Sequence, residues 1–496
     1  MIVTGQIRKG AYFDSVTLMR VGKEITGLPG VIDAAVVMGT KSNKAILHSS
    51  GLLDGRFDAA GDTDLLVAVK AENETAAKAA LAAVDGLLKK TAKTGSSESR
   101  PTSLRGALTL LPDANLAMIS IAGRYAGDEA MRALENGLHV MLFSDNVPLE
   151  KEIALKQFAR KRGLLVMGPD CGTAIINGIP LAFANAVNRG NIGIVAAAGT
   201  GLQEVSCIIS NAGAGISQAI GTGGRDVKEE VGGIMFIEAL KALAKDEQTK
   251  VILLVSKPPH RAVLSRIMKV LKTIRKPVVT MFIGASSATL EEAALAAVAL
   301  SRGKKSPEPG ARDTEIQRIA KREAGKRNKH QKYVRGLFSG GTFCAEAQIL
   351  FNGMISGVYS NAPTGASKQL KNSLKSRKNT VIDLGEDEFT VGRPHPMIDF
   401  SLRNKRILEE AADRETAVIL LDVVLGYGSN PDPAAELVGV IRKARRSVSV
   451  VCSITGTDKD PQNRSHVEAA LRKAGAIVMP SNAAACKLAG SIIQCL

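Results

Sequence analysis

Ile192-Gly193-Ile194-Val195 leading to Gly199-Thr200-Gly201, and Arg335-Gly336-Leu337-Phe338 leading to Ser339-Gly340-Gly341-Thr342, decide how this chain is read. In each stretch an apolar strand pattern runs into a short glycine turn, and a helical pattern follows. Such a turn leaves backbone N–H groups unpaired at the positive end of the helix dipole, which suits a phosphate or a carboxylate. Two such turns in similar α/β segments predict one site where a phosphoryl group is gripped from both sides.

The 496 residues exceed what one core can serve, so several domains are expected. Hydrophobic residues make up 45% and aromatics only 3%, without Trp. Cores built from Ala, Val, Ile and Leu favour buried parallel sheets covered by helices. No apolar run is long enough to cross a membrane, and Met1-Ile2-Val3-Thr4 opens no signal-peptide pattern. The six cysteines form no CxxC pair or disulfide framework, which fits a reducing cytoplasm. The net charge of +17 collects around Arg302-Gly303-Lys304-Lys305 and 321–332. A solvated basic linker explains it best and attraction of an anionic cofactor next. The scarcity of aromatics and of binding motifs argues against nucleic acid.

The fold class is α/β. Residues 1–95 read as a small α+β module of βαββαβ type, with a linker over 93–100. Residues 101–189 read as a Rossmann-like domain with strands at 116–121, 139–143 and 164–167. Two flavodoxin-like units with parallel sheets follow at 190–302 and 334–496, joined by a basic linker at 303–333. The two units repeat one plan, and their strand-end loops are where such sheets take ligands.

The candidate phosphate-binding residues are Gly199, Thr200 and Gly201 with Ser339, Gly340, Gly341 and Thr342. Gly199-x-Gly201-x-x-Glu204 departs from the dinucleotide fingerprint, because Glu204 replaces the glycine that allows close helix–strand packing. Glu204, placed in the first turn of its helix, is either a helix-dipole partner or a group that acts beside bound phosphate. Further loops are Asp170-Cys171-Gly172-Thr173 and Gly223-Gly224-Arg225-Asp226. In the first, backbone amides matter more than the thiol. His260 and His395 sit in stiff proline-flanked loops. Asp422 ends a strand, where it could meet a metal–phosphate complex. No His/Cys/Asp cluster has metal-ligand spacing, so no metal is predicted.

With these residues in view, 101–300 resembles the α subunit of succinyl-CoA synthetase and other NDP-forming acyl-CoA synthetases. The matching pieces are Gly168-Pro169-Asp170-Cys171, Gly193-Ile194-Val195, Gly199-Thr200 with Glu204, Gly221-Thr222-Gly223-Gly224-Arg225-Asp226, and Asp246-Glu247-Gln248-Thr249. Residues 334–496 resemble the ligase-type domain of the β subunit. With Phe13-Asp14-Ser15-Val16 and Gly27-Leu28-Pro29-Gly30, the whole chain is similar to the FdrA-like family.

The resemblance implies that the two glycine-turn helices face each other across a phosphoryl group, with Glu204 as a catalytic carboxylate. It also implies a CoA-binding-type domain at 101–189, with CoA or an acyl or carbamoyl phosphate as the ligand, a small anionic substrate, and partner subunits of a catabolic complex or a homo-oligomer. The family's loop histidine is replaced within Gly284-Ala285-Ser286-Ser287-Ala288, and no ATP-grasp region is visible. The expectation is therefore an acyl-CoA synthetase-like enzyme or subunit binding an acyl phosphate. Alternatives are a subunit of an oxamate carbamoyltransferase-type complex in allantoin catabolism, or a non-catalytic scaffold or ligand-sensing subunit.

Overall fold

The computed structural model describes residues 1–496 apart from 12, 14, 93–100, 102, 286–287, 306–311 and 391–393. The linker expected at 93–100, Asp14, and Ser286-Ser287 lie outside the described residues. Two compact units emerge. One holds 1–112 and 386–395, the other 113–385 and 396–496.

In the first unit, strand Leu65–Ala71 lies between Ile2–Arg8 and Val31–Met38, antiparallel to both. Alternation along this central strand sends Leu65, Val67, Val69 and Ala71 to one core with helices Ser15–Thr26 and Glu74–Ala92. Leu66 and Ala68 point to a second core around Phe57 and Leu47. The βαββαβ expectation is corrected here: the sheet has three strands, with no fourth among the described residues.

The second unit contains three sheets. Leu116–Ile119, His139–Leu142 and Val166–Met167 form a parallel trio. The next sheet runs in the order Val278–Phe282, Val251–Ser256, Arg189–Ala197, Ile216–Gly221, Thr173–Ile176, Ile179–Ala182. Its first four strands are parallel, and the last two are an antiparallel hairpin. That hairpin was not expected. It turns on Asn177-Gly178, both at positive φ (50° and 82°), the two-residue turn that matches strand twist. It attaches the end of the 101–189 segment to the following sheet.

The third sheet is parallel throughout, in the order Lys368–Gln369, Val358–Ser360, Asn379–Asp383, Tyr333–Phe338, Thr416–Val424, Ser449–Thr455, Ile477–Met479. The two flavodoxin-like halves share one apolar core. Leu202, Val205 and Ile209 of helix Gly199–Asn211 join Phe343, Ala345 and Ala347 of helix Gly341–Asn352, with Ala485, Leu488 and Ile492 of helix Asn482–Gln494. The expected basic linker is partly a helix, Asp313–Ala324, whose Ile316, Ala320 and Ala324 enter the same core; Glu323 is buried too, while Lys321 and Arg322 are exposed.

Candidate functional site

The two glycine turns meet. A Cβ added at Gly201 would stand 2.9 Å from Thr342 Cγ2, and one at Gly340 would stand 2.9 Å from both Thr200 Cγ2 and Thr200 Oγ1. Each turn thus packs its threonine against the other's glycine, and only the lack of a side chain permits the approach. Neither helix has a side-chain N-cap bond. Gly199, Thr200 and Gly201, like Gly341, Thr342 and Phe343, therefore present amides that a helix's first turn cannot satisfy itself.

The turns differ in one respect. Asp422, at the end of the neighbouring strand, accepts from Ser339 N (2.8 Å), Ser339 Oγ (2.7 Å) and Gly340 N (2.9 Å). Its charge is balanced by Arg403, fully buried, whose Nη1 donates to the Asp422 carbonyl (2.7 Å) and carboxylate (3.1 Å). Burial pushes the Arg403 pKa down, against the pull of Asp422. Asp422 therefore braces the second turn, and its carboxylate is committed to these donors rather than held for a metal. Beside Gly341, the Asp383 carboxylate and the exposed Lys257 ammonium lie 2.6 and 3.7 Å from where a Cβ would stand.

Glu204 is the sixth residue of its helix, and the first turn carries no acid, which corrects its expected place. It is 2% exposed. It accepts from Asn482 N (3.0 Å), at the start of helix Asn482–Gln494, and from Thr455 Oγ1. Glu346 is its counterpart, sixth in helix Gly341–Asn352, and sequence reasoning missed it. It accepts from Leu290 N (2.8 Å), at the start of helix Leu290–Ser301, and from Asn482 Nδ2 (2.8 Å). The signal was present, because Gly199-Thr200-x-x-x-Glu204 and Gly341-Thr342-x-x-x-Glu346 share one spacing. Each glycine-turn helix thus caps the last helix of the other half. Burial raises the Glu204 pKa and pushes Glu346 up to about 7, with Glu204 and Glu291 adding repulsion there.

The remaining loops gather at the first turn. Thr173 Oγ1 donates to Phe183 O (2.7 Å) and lies 3.8 Å from a Cβ built on Gly199. Cys171 is buried, and desolvation lifts its thiol to about 12, so it is not a nucleophile near neutral pH. Asp170 takes a positive φ of 55°, and Gly172 lies close to Phe183. A Cβ at Gly223 would sit 2.3 Å from Pro169 O, so the two loops pack backbone to backbone; Gly224 is open. Asp226 and Arg225 both have partners within the fold. Asp226, fully buried, accepts from Phe236 N (2.7 Å) and Lys156 Nζ (2.8 Å). Lys156 also meets Glu152 (2.8 Å), and Arg225 Nε lies 2.9 Å from the same carboxylate. His260 caps helix Arg261–Leu271 through Nδ1. His395 is half-buried and falls in segment 386–395, which groups with the N-terminal unit. Among the described residues no His/Cys/Asp/Glu group could hold a metal, and no helix is long and apolar enough to cross a membrane.

Three stretches of the chain match known protein families. Residues 337–492 match the CoA-ligase family, 187–284 the CoA binding domain, and 1–103 the AllF heavy metal-associated domain. The CoA binding match thus covers most of the segment read from sequence as the first ligase-type unit, rather than 101–189. The α subunit 1 of an ADP-forming succinate–CoA ligase from Archaeoglobus fulgidus is 28% identical over 176 residues, covering 35% of this chain and 59% of that protein. The dinucleotide forming acetyl-coenzyme A synthetase 1 of Ca. Korarchaeum cryptofilum, in complex with phosphate and ADP, aligns over 77% of this chain and 82% of its own. Its identity is 15% and its TM-score 0.30. The uncharacterized protein YahF of Escherichia coli K12 is 42% identical over 494 residues, 96% of each chain. The chain therefore belongs to the FdrA-like family of YahF, built on CoA-ligase-type domains.

Proposed function

We propose that this protein is an acyl-CoA ligase-like enzyme, or the subunit of one, that holds a small acyl phosphate at the paired glycine turns. The observation that carries the reading is the contact of Gly201 with Thr342 and of Gly340 with Thr200, which brings two helix N-termini to one place. Lys257 beside Gly341 adds an exposed positive charge, next to the Asp383 carboxylate. The CoA binding match over 187–284 supports CoA as the acyl acceptor. Glu204 and Glu346 act as positioning residues in this reading, because their oxygens are engaged by helix starts and neighbouring side chains.

Gly199→Asp separates ligand binding from folding. Gly199 is exposed, with only Thr173 Oγ1 within reach of an added Cβ, so the new carboxylate is tolerated and suits the helix dipole. It competes with any incoming anion. Thermal shift with phosphate, carbamoyl phosphate, CoA and ADP should show stabilisation by at least one phosphate-bearing ligand, lost in Gly199→Asp. A ligand at 100 times its dissociation constant adds about 2.7 kcal/mol. Equal shifts in both proteins would place the ligand elsewhere.

A second reading is favoured by Asp422, whose carboxylate already occupies Ser339 N and Gly340 N. An internal anion on half of the site suits a ligand-sensing or scaffold subunit. Acyl transfer from a bound acyl or carbamoyl phosphate to CoA, or to oxamate for the carbamoyl group, would exclude it.

A further inference from the structure

The structure carries a second polar feature at the amino-terminal ends of the third sheet's strands. Strand Tyr333–Phe338 separates it from the glycine turns, by roughly 20 Å at about 3.3 Å per residue. A cleft of about 560 Å³ opens there, lined by Lys321, Arg327, Lys329 and Lys332 with Asn328 and Gln331. Ile493, Cys495 and Leu496 close its other side. The nearby acid, Glu323, is already bonded to Lys326, Arg322 and Ser449. Arg327 is fixed rather than waving in solvent. Its Nη1 donates to Ser447 O, and its Nε is buried with no partner among the described residues. Burial lowers its pKa, with the Glu323 charge pulling the other way. At Lys332 and Ile493 the cleft adjoins a second one of about 580 Å³, lined by Tyr333, Met354, Ile355, Lys368 and Lys378.

We propose that these joined clefts bind a nucleoside polyphosphate, with its phosphates among Arg327, Lys329 and Lys332 and its nucleoside end against Tyr333 and Met354. Several cations spread along one cleft suit linked phosphates better than a single phosphate. The volume fits a ligand of nucleotide size. This site is independent of the glycine turns, so it stands or falls apart from the function proposed above.

Isothermal titration of the full chain at 150 mM salt tests it, with ADP, ATP, CoA, pyrophosphate, adenosine and a single-stranded RNA oligonucleotide as probes. The expected result is saturable binding of ADP or ATP, weaker binding of pyrophosphate and none of adenosine. Lys329→Gln/Lys332→Gln, both at exposed positions, should weaken that binding by about tenfold or more. Gly199→Asp should leave it unchanged. Tighter binding of CoA than of ADP with the same variant response would identify CoA as the source of the polyphosphate. No binding at 1 mM nucleotide, or binding indifferent to the double variant, overturns the proposal. So does RNA binding that matches ADP and vanishes with salt, since that marks a non-specific basic surface.

Discussion

Glu204 and Glu346 are joined through one residue: Asn482 donates its backbone N–H to the first (3.0 Å) and its side-chain Nδ2 to the second (2.8 Å). Each carboxylate stands six residues into a glycine-turn helix and caps a helix of the opposite half. The halves are thus tied at the depth where their turns meet.

Stability should depend on pH through Glu346. Its folded pKa, about 7, lies above the unfolded value, so the folded state holds more protons between about 4.3 and 7. Stability therefore falls as pH rises through that window, and this contribution is constant above it. Glu346→Gln removes it. The stability difference between wild type and variant in urea should shift against the wild type by about 2 to 3 kcal/mol from pH 5 to pH 8. A flat difference would mean that Glu346 ionises like an exposed glutamate.

The Gly201–Thr342 contact predicts a specific rescue. Gly201→Ala places a methyl 2.9 Å from Thr342 Cγ2 and should cost about 1 to 3 kcal/mol. Thr342→Ser deletes that methyl, so the double variant should regain part of the loss. Simple additivity of the two changes in thermal unfolding would deny the contact.

Asp422 should matter more to folding than an ordinary surface acid. Asp422→Ala strands the buried Arg403 and should cost about 3 to 5 kcal/mol, with Asp422→Asn costing less. A loss below about 1 kcal/mol for the alanine variant would show that Arg403 finds another partner.

The buried Lys156 offers an internal contrast with Arg225. Lys156→Ala leaves Glu152 and Asp226 facing each other without their shared cation and should cost about 3 to 5 kcal/mol. Arg225 is 41% exposed at its side chain, and Arg225→Gln should cost less than about 1 kcal/mol. Equal losses in denaturant unfolding would contradict this ranking.

Much of the fold was legible because parallel strands buried on both faces read as unbroken apolar runs, as in Val251–Ser256 and Thr416–Val424. The hairpin over 173–182 carries a sequence signal only in its turn, Asn177-Gly178. Its strands are four residues each, too short to show a period against the neighbouring loops. The partners of Asp226 were not legible for a different reason. A Gly/Asp loop at a strand end reads as a binding loop until its carboxylate is seen taking Lys156 and the Phe236 amide.

By itself the sequence determined the alternation of strand and helix, the two glycine turns and the spacing that sets a glutamate five residues beyond each. Those are local properties, written in hydrophobic period, turn chemistry and intervals along the chain. Only the tertiary structure decided which amides are already occupied, which charges are buried and paired, and which helix each glutamate caps. Asp422 lies 83 residues from Ser339, and Glu204 lies 278 from Asn482. Contacts across such separations depend on how whole layers stack, because hydrophobic burial is non-directional and selects a face without naming the partner upon it.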